Sequence, residues 1–140
     1  MDLSYQEKSI LGSLLAVTVV YGLYFAGVLR DMGRPDFDGA SFPLGRLVGA
    51  VVAIVIIEIV YHIILAVESK PEPRDERDIL ISGKAYRNAY FALATGAFLV
   101  MTGVVLSLRP FLTANLVLLF MVVAELVKFL TQLFYYRRGF

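Results

Sequence analysis

Long apolar runs alternate with short polar segments along the whole chain. A helix needs about 20 apolar residues to cross a hydrocarbon core of roughly 30 Å, and runs of that order occupy residues 10–29, 47–67, 89–108 and 111–136. Each reads as a transmembrane helix, because in lipid only helices and closed barrels satisfy every backbone polar group internally. The expected fold is all-α, an integral membrane four-helix bundle forming a single domain over residues 1–140. The segments between the runs sharpen this picture. Residues 30–46 carry Gly33, Pro35, Gly39 and Pro43, a breaker-rich polar loop. Glu68 to Lys84 holds Pro71, Pro73 and the charge run Arg74, Asp75, Glu76, Arg77, Asp78. Asp75, Glu76 and Asp78 suit a helix N-terminus, so the third helix should begin near residue 74, outside the bilayer. Its first turns, with Ile79, Leu80 and Ile81, would then lie against headgroups or a neighbouring subunit. Arg109-Pro110 alone separates the last two runs, which demands a tight antiparallel hairpin.

Composition agrees with lipid as the solvent: 59% of the 140 residues are hydrophobic, and the mean hydropathy is +0.74. A net charge of +1 gives no basic excess that would argue for nucleic acid. Cysteine is absent, which excludes disulfides, thiolate metal sites and cysteine nucleophiles. Lys8 ahead of an apolar stretch imitates a signal peptide. The run to Leu29 is too long for one, and no Ala-x-Ala site precedes Arg30, so it is read as a retained first span. Lys8, Lys70, Arg74, Arg77, Lys84, Arg87, Arg137 and Arg138 fall on one side of the four crossings, against Arg30, Arg34, Arg46 and Arg109 on the other. The positive-inside rule then puts both termini in the cytoplasm, as a multi-pass protein of a cell membrane. Tyr86, Tyr90, Tyr135 and Tyr136 suit an aromatic belt at that face, and Tyr21 and Tyr24 one near the other.

Four ionisable groups lie inside the spans: Glu58 and His62 in the second, Glu125 and Lys128 in the fourth. A charge at a helix centre costs about 2.5–3.5 kcal/mol on the mildest scales, so such groups usually face a bundle interior and mark a pathway or partner. Glu58 and His62 share a helix face at i,i+4, and Glu125 and Lys128 at i,i+3. Both pairs sit in the half nearer the cytoplasm, in positions to meet as one polar cluster. On the functional reading, a carboxylate drawn out of water beside the only histidine exchanges a proton or binds a cation. On the structural reading, Glu58 is neutral and bonds across helices, Glu125 pairs with Lys128, and the contacts fix packing. A metal held by Glu58, His62 and Glu125 is a third arrangement, without a second histidine to support it. Lys128 alone would snorkel toward headgroups. A single histidine without a Cys-x-x-Cys-His motif argues against haem, and no cofactor is expected. Ser13 and Ser107 stand in apolar stretches with no histidine nearby in sequence, which suits packing or local helix bonding rather than a nucleophile; no enzymatic centre is expected.

Two patterns bear on assembly. Glu58-Ile-Val-Tyr-His62 and Glu125-Leu-Val-Lys-Phe129 place an acid at matching depth, and the stretches Lys8 to Arg30 and Arg87 to Arg109 are equally long and both end Leu-Arg. These are compatible with a duplicated helical hairpin about an axis along the membrane normal, or with chance similarity of apolar helices. Thr18, Gly22 and Ala26, Gly45 and Gly49, and Ala92 and Gly96 form stripes that let helices approach closely, either within the chain or in a homodimer. The alternating signs from Arg74 to Asp78 read as a solvated helix start or as a contact for another protein, not as a polybasic lipid hook.

The segment from Pro73 to Tyr90, with its Asp75-Glu76-Arg77-Asp78 string before the third span, resembles the Asp-Glu-Arg loop of a family of small predicted membrane proteins of bacteria and archaea, classed as a domain of unknown function. The resemblance extends to the four-span layout and implies a bacterial or archaeal plasma membrane. Members of similar architecture are often encoded beside small helix-turn-helix regulators, which implies a signalling or immunity role and brings no catalytic or binding residues with it. Two functions are therefore expected to compete. One is a small, oligomeric, proton- or cation-responsive transport or channel-like protein using the intramembrane acids and His62. The other is a non-transporting regulator or partner subunit acting through residues 70–88.

Overall fold

The long apolar runs form helices, and the computed structural model is helical throughout its long elements. It describes residues 4–39, 43–69 and 73–138; Lys70 and Pro71, counted in the second loop above, lie outside the described residues. The helices are α1 (Tyr5–Met32), α2 (Leu44–Glu68), α3 (Glu76–Val105) and α4 (Pro110–Arg138). All four are long and apolar enough to cross a membrane. Each outruns its apolar stretch at one end or both, and at the starts of α1 and α3 polar caps let the helix continue where its side chains cease to be apolar. Ser4 and Glu7 form a reciprocal capping box at the start of α1, and Asp75 and Asp78 do the same for α3.

The α3–α4 hairpin closes on a Schellman turn. Ser107 takes the left-handed position (φ 61°) usually given to glycine. Its N–H bonds to the Val104 carbonyl, and the Leu108 N–H to that of Gly103, each at 3.0 Å. Leu108 folds back onto Gly103, where a Cβ would collide with it. Ser107 is therefore a turn residue.

Packing follows the order α2, α1, α4, α3. The α3–α4 pairing is the most extensive, α1 lies against both α2 and α4, and among the described residues α2 comes close to neither α3 nor α4. The result is an open helical bundle. A two-fold axis relating the two hairpins would map the α1–α4 contact onto an α3–α2 contact, and none exists among the described residues. The two-fold arrangement suggested by the paired motifs is thus absent from the fold. The start of α3 continues the pairing with α4 on one face, where Ile81 and Ala85 are fully buried, the Tyr136 hydroxyl donates to Asp78 at 2.6 Å and Arg77 donates to the Tyr136 carbonyl, while Ile79 and Leu80 stay exposed on the other.

The core lies between α1 and α4 at the end remote from the termini. Tyr24, Val28 and Phe111 are buried there, with Phe37 packed edge-on to Phe111. Tyr24 is therefore a core residue and not part of an aromatic belt. Its hydroxyl donates to the Asn115 side-chain oxygen at 2.9 Å, and the Asn115 amide donates to the Phe111 carbonyl at 2.8 Å, so this buried pair is satisfied. Close helix approach depends on glycines other than most of those in the stripes. Gly22, Gly45 and Gly49 face open space, whereas a Cβ at Gly12 would meet the Tyr61 ring and one at Gly96 the Phe120 side chain.

Candidate functional site

The half of the α1–α2 interface nearer the termini is a polar seam. Tyr61 lies across Gly12, and its hydroxyl donates to the Lys8 carbonyl at 2.6 Å. Lys8 in turn reaches the Ser69 hydroxyl at 3.2 Å. These contacts bring one face of α1, carrying Ser9 and Ser13, onto the Glu58–His62 face of α2.

The Ser13 hydroxyl donates to Glu58 Oε2 at 2.8 Å. His62 Nδ1 lies 2.8 Å from the Glu58 backbone carbonyl and 3.3 Å from Glu58 Oε2. His62 Nε2 lies 3.0 Å from the Ser9 hydroxyl. A neutral ring with its proton on Nδ1 fits this pattern, donating to Glu58 and accepting from Ser9. The second carboxyl oxygen, Glu58 Oε1, is buried without a hydrogen-bond partner. A bare carboxylate oxygen out of water is costly, and a proton or a cation would relieve it.

Glu125 and Lys128 form a separate pair on α4. The Lys128 ammonium bonds to Glu125 and lies over the rings of Phe129 and Tyr86, at 4.4 and 5.6 Å from their centroids. Its side chain is only 15% exposed, against 51% for Glu125, so the lysine is held under aromatic cover and does not snorkel. Because α2 stays away from α4, Glu58 and His62 do not converge with Glu125 and Lys128. No group of three His or acidic side chains able to hold a metal ion occurs among the described residues, so Glu58, His62 and Glu125 do not form a ligand set.

In the charge run before the third span, Asp75 and Asp78 are occupied by the capping box, and Asp78 and Arg77 also by Tyr136. Arg74 and Glu76 stand exposed, beside exposed Ile79 and Leu80. The sequence reading missed Ser9, Gly12, Tyr61 and Asn115, and gave Ser13 no interhelical role. A signal for the α1 residues was present in the Ser9, Gly12, Ser13 spacing, a small and polar stripe along one helical face.

Comparison with protein-family models, with curated proteins and with solved structures returned no match.

Proposed function

We propose that the chain is an integral membrane protein with both termini in the cytoplasm, in which the α1–α2 seam is the proton-responsive site of a small transport or channel-like activity. The medium is argued from the surface: Leu15, Leu23, Val55, Ile56, Phe98, Met101 and Val105 are among many large apolar side chains left exposed. Contiguous apolar surface on that scale is foreign to a water-soluble monomer and natural in lipid.

The unpartnered Glu58 Oε1, beside an Oε2 shared by Ser13 and His62, carries the proposal. One proton distributed over Glu58 and His62 leaves the pair neutral overall, as carboxylic acid with imidazole or as carboxylate with imidazolium. Removing it leaves a carboxylate whose Oε1 has no partner and whose Oε2 has a single hydroxyl donor across the interface. In liposomes containing a pH-sensitive dye, the reconstituted protein is expected to pass protons down an imposed gradient. Glu58→Gln should slow this by about tenfold or more, equivalent to roughly 1.4 kcal/mol on the barrier. Absence of proton movement in the unaltered protein, with no effect of Glu58→Gln, would end this reading.

The exposed Ile79 and Leu80 next to Arg74 and Glu76 favour a second reading, a partner-binding regulator acting through the start of α3. It requires that capture of the partner depend on these four side chains and be indifferent to Glu58.

A further inference from the structure

Beyond the polar seam, toward the end remote from the termini, α1 and α2 part to form an open cleft of about 760 Å³. Val20 and Leu23 of α1 and Ala53 and Ile57 of α2 are among the apolar side chains that line it, and Arg30, Arg34 and Arg46 stand at its mouth with Asp31. The volume is in the range of ligand pockets, roughly 300–1,000 Å³. From Arg46 to Ile57 the cleft follows α2 for about 16 Å at a helical rise of ~1.5 Å per residue. That depth equals one leaflet of a hydrocarbon core roughly 30 Å thick.

The charges at the mouth are arranged to face outward. Arg46 crosses to α1 over Gly27, where a Cβ would come within 3.1 Å of its guanidinium, and bonds to Asp31 at 2.6 Å. Arg34 engages Asp36 at 3.3 Å in an exposed pair that water and salt screen. Arg30 has no salt-bridge partner among the described residues. Three guanidiniums on the cleft lining, set against Asp31 and the Asp36 that pairs with Arg34, leave a local excess of one positive charge, and guanidinium is the side chain best shaped to grip a phosphate.

We propose that this cleft is a binding site for an anionic phospholipid, one acyl chain lying between α1 and α2 and the phosphate resting on Arg30, Arg34 and Arg46. An acyl chain fits the lining, a phosphodiester fits the mouth, and the depth places both in a single leaflet. The inference rests on the helices lying in a bilayer but not on the chemistry of Glu58.

The test uses the purified full chain in neutral detergent, mixed with equimolar phosphatidylglycerol and phosphatidylcholine of identical acyl chains, with retained lipid read by native mass spectrometry. Phosphatidylglycerol should be retained about tenfold over phosphatidylcholine. The double variant Arg30→Ala, Arg34→Ala should bring retention down to the phosphatidylcholine level. Ala53→Phe or Val20→Phe, which fill the cleft from opposite helices, should remove both lipids, and whichever variant folds serves. Millimolar inorganic phosphate should leave the bound lipid in place. Equal retention of the two lipids, unchanged retention after the arginine or cleft-filling substitutions, or displacement by phosphate alone would each overturn the proposal. Glu58→Gln protein should retain lipid as the unaltered chain does, so failure of the proton reading and failure of this one are separately visible.

Discussion

Replacing Gly96 by leucine is expected to destabilise the protein more than any other single glycine substitution, lowering its unfolding midpoint in detergent and splitting α3 from α4. A Cβ at this position would overlap the Cβ, Cγ and Cδ1 atoms of Phe120. The obstacle includes the root of a side chain, which cannot move aside without its helix. Overpacking typically costs about 1–3 kcal/mol and occasionally more, and the upper end applies where backbone must shift. Gly22→Leu is the matched control, because nothing lies within 4 Å of a Cβ there. Thermal unfolding in one detergent should show a large loss for the first and almost none for the second. Equal losses would mean that Phe120 does not sit on Gly96.

The second large effect is expected at Gly12, where substitution should disable the polar seam while leaving the α3–α4 hairpin intact. Here a Cβ would meet Cζ, Cε1 and the hydroxyl of Tyr61, the far end of a side chain that can swing. Swinging breaks the 2.6 Å bond to the Lys8 carbonyl and drives the ring between α1 and α2. Ser9 then leaves His62 and Ser13 leaves Glu58, contacts that stand at 3.0 and 2.8 Å. Gly12→Leu should therefore reduce proton flux as far as Glu58→Gln does, with a stability loss of about 1–3 kcal/mol. Because the clash is with one ring, adding Tyr61→Ala should restore part of the flux, a non-additivity that a double-mutant cycle reads directly. Additive effects of the two substitutions would show that Gly12 acts through something other than Tyr61.

The contrast between these glycines illustrates what the sequence could and could not convey. Four helices were legible because four apolar runs are long enough to form spanning helices, and the early start of α3 was legible in Asp75 and Asp78. Helix rotation was not. A segment such as α2, apolar on nearly every face, buries only Leu65 within the chain and gives no stripe from which a partner could be read. The pairing of Glu58 with His62 could be anticipated because i,i+4 geometry is local. Its connection to Ser13 and Ser9 depends on which face α1 presents, and that depends on Gly12 accommodating Tyr61. Likewise, spacing alone could not distinguish Gly96, which packs, from Gly22, Gly45 and Gly49, which do not. The expectation that the two acid pairs would meet presumed a closed bundle. In the row α2, α1, α4, α3, the helix α1 stands between them.

Infrared difference spectroscopy on the reconstituted protein addresses the seam most directly, since a protonated carboxyl group absorbs apart from a carboxylate. As pH is stepped, all twelve acidic residues contribute, and the unaltered protein should show, beyond the bands shared with Glu58→Gln, one carboxyl band exchanging with a carboxylate band. Ser13→Ala should displace that band, because it loses the donor to Oε2, and Glu58→Gln should abolish it. Spectra of the unaltered protein and of Glu58→Gln that coincide at every pH would contradict a proton-responsive Glu58.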